Sequence, residues 1–119
     1  MERLIKAFQN SVRAFNRLIR SEAAFQQEMA LLALSLPVGW FLATSWRGFA
    51  LLIGSLLFLL VVEVLNTGIE ATCDAISREF SIDIQLAKDC GSLAVLMASL
   101  LVGIVWLLAI AERIAGMPL

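Results

Sequence analysis

No histidine occurs anywhere in this sequence. That removes imidazole general bases, histidine proton shuttles and most transition-metal sites. Cysteine is scarce as well: Cys73 and Cys90 are too few for a disulfide framework and read as small buried hydrophobes. Charge is the third shortage. Only 16% of the 119 residues are Asp, Glu, Lys or Arg, while 61% are hydrophobic. A soluble domain of this length must keep much of its surface polar. A single domain with a mean hydropathy of +0.89 has more apolar side chains than it can hide. Part of its surface therefore faces lipid. The phosphate-binding patterns G-x-x-x-x-G-K-[ST] and G-x-G-x-x-G are absent, as is the hydrolase elbow G-x-S-x-G. Any nucleotide is held outside the usual phosphate-binding folds.

The charge that is present is unevenly distributed. The net value of −1 gives no basis for binding nucleic acid, yet five of the nine basic residues fall in the first twenty positions. On a helical wheel Leu4, Phe8, Val12, Phe15 and Ile19 point within roughly 40° of one direction, and Arg3, Lys6, Arg13, Arg17 and Arg20 cluster opposite. This pattern predicts an interfacial helix over residues 1–21, with its apolar face at the acyl boundary and its arginines toward anionic head groups. A cleavable leader is not expected, because Glu22, Gln26, Gln27 and Glu28 stand where its apolar core would have to be.

Three apolar stretches come next, so the chain reads as one all-α membrane domain of three transmembrane helices behind a surface helix. The first span is placed at 23–46, bent at Pro37, with Trp46–Arg47 at an interface. The second occupies 48–76 including a cytoplasmic extension, a polar loop covers 77–88, and the third fills 90–111 before a Gly–Met–Pro tail. Seven basic residues lie on the side of the amino terminus and the 77–90 segment, and Arg47 and Arg113 lie on the other. The amino terminus is therefore expected in the cytoplasm. Small-residue spacings (Ala50–Gly54, Ala94–Ala98, Ser99–Gly103) allow close helix approach.

Glu63 breaks the apolar run Leu56–Leu65. A carboxylate there costs about 2.5–3.5 kcal/mol on insertion scales, so it needs a reason. Asn66, Glu70 and Asp74 come after it at spacings of three, four and four, forming one polar stripe about 80° wide. Glu22 and Glu28 border the first span, and Lys88–Asp89 precede the third. Three readings compete: polar glue between helices of an oligomer, an ion pathway, and catalysis in which one carboxylate takes a proton while others hold Mg²⁺. The chain is too short for the inverted repeats of transporters. Three helices enclose a polar site poorly, which points to an oligomer.

The segments SEAAFQQE (21–28), VEVLNTGIEATCD (62–74) and AKDCGSLAV (87–95) closely resemble the prokaryotic integral-membrane diacylglycerol kinases, in the same order and over nearly the whole chain. A second branch of that family phosphorylates undecaprenol. The E-A-A-F-x-Q-E and K-D-x-G-S runs look like the diacylglycerol branch. The resemblance implies a homotrimer of the bacterial inner membrane that phosphorylates diacylglycerol with ATP and Mg²⁺. It implies Glu63 as general base toward the lipid hydroxyl and Glu22 and Glu70 as metal ligands. Asn66, Ser92 and Glu28 are implied on the substrate side, and Arg3, Glu79, Lys88 and Asp89 at the nucleotide. One departure stands out: Asn10 replaces a tyrosine that the family can use near the nucleotide, which leaves the adenine-side contacts open.

Overall fold

The computed structural model describes residues 1–116, and the Met117–Pro118 part of the tail lies outside the described residues. Four helices succeed one another: α1 (Glu2–Ser21), α2 (Ala23–Leu42), α3 (Trp46–Ile76) and α4 (Ile82–Ala115). The chain is all-helical among the described residues. α3 and α4 are each long and apolar enough to cross a membrane. α2 is shorter, at 20 residues, and Gln26, Gln27 and Glu28 occupy its opening turns.

Two boundaries differ from those read in the sequence. The first apolar run does not continue as helix to Trp46: α2 ends at Leu42, and the Ser45 hydroxyl caps a new helix by accepting the Gly48 N–H at 3.0 Å. A serine cap outweighs the continuous apolarity of the stretch. The segment 77–88, expected to be a loop, is irregular only as far as Ser81, and Ile82–Lys88 form the start of α4. Asp83 in that first turn complements the helix dipole. The helix runs through Pro37 to Leu42, and Gly116, with φ of 75°, closes α4 in the left-handed conformation that glycine tolerates.

The short connections make α2, α3 and α4 run alternately up and down. α3 lies in the middle, packed along α4 and against α2, while α2 and α4 scarcely touch. Leu52, in the second turn of α3, is fully buried, and its carbonyl accepts the Trp106 indole N–H of α4 at 3.2 Å. Buried Gly91, Ala98 and Ala109 form the close-approach stripe of α4. Of the small-residue spacings, Ala98 is buried, whereas a β-carbon added at Gly54 or Gly103 would meet no neighbouring helix within 4 Å.

α1 docks by its last turns only. Leu18 is buried against Phe25 and Leu60, the Phe15 and Phe25 rings meet edge-on at 5.6 Å, and Gln26 Nε2 donates to the Ile19 carbonyl. Leu4, Phe8 and Val12 remain exposed, as does part of Phe15 beyond its contact with Phe25. At the opposite end of the bundle, Trp40, Trp46 and Phe49 pack edge-to-face, and Arg113 lies 5.5 Å over the Phe41 ring. Aromatic and cationic side chains of this kind anchor helices at a membrane–water boundary.

Candidate functional site

The polar stripe of α3 meets the start of α2 and the start of α4 at one end of the bundle. Glu63 is its deepest member and is buried, at 7% exposure, on a helix whose sequence on either side is leucine and valine. One turn on, Asn66 is buried too, and its Nδ2 donates to Glu70 Oε1 at 3.2 Å. Glu70 itself is exposed. The stripe therefore runs from a dry carboxylate to a wet one over seven residues, about 10 Å of helix rise.

α4 fixes the middle of that stripe. A β-carbon at Gly91 would collide with Asn66 Oδ1, so a bare glycine is what lets the amide lie between the two helices. Asn66 Oδ1 and Glu28 Oε1 are both buried without a hydrogen-bond partner. An orphaned buried acceptor is costly unless a ligand meets it. Glu28, half-buried on α2, is close enough to Glu63 for the two charges to act on each other, and Glu63 feels Glu22 and Glu70 as well. Four acidic side chains from two helices and the joint before them thus share one electrostatic neighbourhood.

Above Glu63 opens a cleft of about 360 Å³ lined by Arg17, Glu22, Thr67, Glu70, Asp74 and Arg78. Its walls come from α1, the α1–α2 joint, the last turns of α3 and the connection beyond. Glu22 stands at that joint in an extended conformation, which turns the chain from the surface helix into α2. No group of three or more acidic or cysteine side chains positioned to hold a metal alone occurs among the described residues. Glu22 and Glu70 in this open cleft could at most contribute part of an oxygen shell, with phosphate oxygens and water supplying the rest.

Of the site residues expected from the sequence, the fold brings Glu22, Glu28, Glu63, Asn66 and Glu70 together. Lys88 approaches from α4, but its Nζ is bound to Asp74 Oδ1 at 2.9 Å, an ion pair joining the ends of α3 and α4. Asp89 and Ser92 are exposed further along α4. Glu79 is exposed in the connection, where its N–H is bonded to Ser77 Oγ. Arg3 lies fourteen residues from Arg17 along α1, about 21 Å of helix, and is not part of this cleft. The arginines that do line it, Arg17 and Arg78, do not stand out in the sequence as site residues. The helical wheel directs Arg17 to lipid head groups, and only the fold turns it toward Glu22. Arg78 lies four positions beyond Asp74, the one sequence signal that puts it near the stripe.

Residues 9–110 match the family model described as prokaryotic diacylglycerol kinase. Among the relatives, the diacylglycerol kinase of Pseudomonas aeruginosa is 37% identical over 106 residues, covering 89% of this chain and 86% of that protein. The diacylglycerol kinase of Escherichia coli is 36% identical over 104 residues, covering 87% and 85%. That of Haemophilus influenzae is 33% identical over 103 residues, covering 87% of each.

Proposed function

The chain belongs to the prokaryotic diacylglycerol kinase family, and from that premise we propose how its own residues divide the work of the reaction. It phosphorylates diacylglycerol to phosphatidate with ATP as the co-substrate. The lipid hydroxyl oxygen bonds to the γ-phosphorus of ATP, the bond to the β-phosphate oxygen breaks, and the hydroxyl proton must leave. Such transfers depend on positioning and charge neutralisation more than on covalent catalysis.

Glu63 takes that proton. It is the one buried carboxylate among the described residues, at a depth where an alcohol dissolved in the bilayer arrives laterally. Glu28 and Asn66, with their unpaired oxygens beside it, hold the lipid head. Asn66 also steadies Glu70 through its amide. Glu22 and Glu70 hold Mg²⁺, which when bound supplies positive charge against the nucleotide phosphates. Lys88, Asp89, Glu79 and Arg3 contribute to the nucleotide side, and Ser92 to the lipid side. The observation that carries this reading is the vertical ordering on α3: a buried base below, and a carboxylate-lined cleft open to water about 10 Å above it.

In this arrangement α2, α3 and α4 cross the bacterial inner membrane as three spans, with α1 on the cytoplasmic surface. Support comes from the aromatic girdle at the far end and the basic residues at the near end. A homotrimer completes it. α4 exposes Leu93, Leu96, Leu100, Ile104 and Leu107, and α2 and α4 leave the flanks of the stripe uncovered, where intramembrane carboxylates need protein or water.

Purified protein in mixed micelles tests the substrate class directly. With ATP and Mg²⁺, a short-chain diacylglycerol is converted to phosphatidate and undecaprenol is left unphosphorylated. Turnover of undecaprenol alone would move the chain to the other branch.

A further inference from the structure

The cleft above Glu63 holds two cations with no assigned task. Arg17 reaches it from α1 and Arg78 from the connection after α3. Neither guanidinium is in ion-pair or side-chain hydrogen-bond contact among the described residues, and Arg78 acts on Asp74 only through its charge. Lys88, by contrast, is engaged by Asp74, and Arg13 donates to Asn10 at 2.9 Å. Both arginines keep a planar fork of donors whose geometry matches phosphate oxygens.

The mixed sign of the lining selects among phosphate ligands. A lipid head group bearing only negative charge would meet Glu22, Glu70 and Asp74 and be repelled. A polyphosphate carrying its own divalent cation offers both signs, cation to the carboxylates and oxygens to the guanidinia. A neighbouring groove of about 500 Å³ has the other chemistry: Arg13, Arg17 and Arg20 line it with Gln9, Asn16 and no carboxylate. That groove suits a head group. Arg17 borders both, whereas Arg78 belongs to the acidic cleft.

We infer that Arg17 and Arg78 are phosphate-binding residues of the nucleotide site, clamping the polyphosphate chain opposite Glu22 and Glu70. This rests on the assignment of those two glutamates to the metal–nucleotide end.

The test uses the full chain in mixed micelles, with a non-hydrolysable ATP analogue plus Mg²⁺ for equilibrium binding and MgATP for kinetics. Arg78→Gln and Arg17→Gln each weaken analogue binding and raise the KM for MgATP about tenfold, the loss of one charge-assisted hydrogen-bond pair. The KM for diacylglycerol stays within about twofold. Inorganic tripolyphosphate competes with the analogue on the unmodified protein and loses that competition on Arg78→Gln. Arg78→Lys, which keeps charge but not the fork, recovers part of the affinity and serves in place of the glutamine variant if that one does not fold. Unchanged nucleotide affinity in both arginine variants overturns the inference. So does a change confined to the response of activity to anionic phospholipid in the micelle, which would make these head-group residues. If Glu22→Gln and Glu70→Gln also leave nucleotide affinity intact, it is the assignment of the glutamates that fails.

Discussion

The backbone of Gly91 on α4 lies directly beneath the Asn66 amide of α3, so close that any side chain at 91 would overlap Asn66 Oδ1. Asn66 in turn donates to Glu70. A contact between two helices thus sets the position of a carboxylate one turn further along the cleft. Replacing a mid-helix glycine by alanine ordinarily stabilises a helix by about 1 kcal/mol. Gly91→Ala is expected to do the opposite to function: displace Asn66, release Glu70 and lower kcat at least about tenfold. Steady-state kinetics on protein whose helicity and oligomer size are unchanged check this. Full activity would show that Asn66 has no fixed place in the reaction.

Glu63→Gln preserves shape and removes the base. General-base loss typically costs about 10²- to 10⁴-fold, so kcat should fall by that order while binding of ATP and diacylglycerol persists. Glu63→Asp, which keeps the carboxylate but shortens its reach, should retain a measurable fraction of the rate. Equal rates for the glutamine variant and the unmodified protein remove Glu63 from this role.

Glu22→Gln and Glu70→Gln each leave the shared cleft with one fewer oxygen anion. The Mg²⁺ concentration giving half-maximal rate should rise in both, and chelation by EDTA should abolish turnover until Mg²⁺ is restored. A magnesium titration at saturating ATP measures it. Loss of fold or assembly without any change in magnesium demand would instead make these carboxylates structural.

Lys88 and Asp74 form a half-exposed ion pair, and such pairs add little to stability. Lys88→Met should therefore leave the melting temperature nearly unchanged while raising the KM for ATP. Asp74→Asn should alter ATP affinity in the opposite direction by a smaller amount, since it frees Lys88 and removes a carboxylate from the cleft. A large fall in melting temperature with unaltered kinetics would make the pair a clasp between α3 and α4.

Hydropathy and wheel periodicity make the four helices and the stripe readable in the sequence alone. The 3, 4, 4 spacing from Glu63 to Asp74 can be satisfied only on one helix face, so that part is a matter of covalent geometry. The end of α2 is hidden because Ala43–Thr44 continue the apolar run, and the break is made by a capping hydroxyl at Ser45. The early start of α4 is masked by Asp83, Lys88 and Asp89, which lower hydropathy without preventing helix. The cleft itself is illegible: Arg17 and Glu22 straddle a helix joint, and Lys88 finds Asp74 across fourteen residues. Those pairings depend on how the helices pack, which periodicity does not encode.

Phosphatidate formation from ATP and diacylglycerol by the double variant Glu63→Gln/Glu70→Gln, beside the unmodified protein, bears most directly on the idea that the carboxylates of the α3 stripe perform this transfer. The unmodified chain should produce phosphatidate in step with ATP consumed, and the correctly assembled double variant none above background. Phosphatidate made at the unmodified rate by the neutralised protein would contradict it.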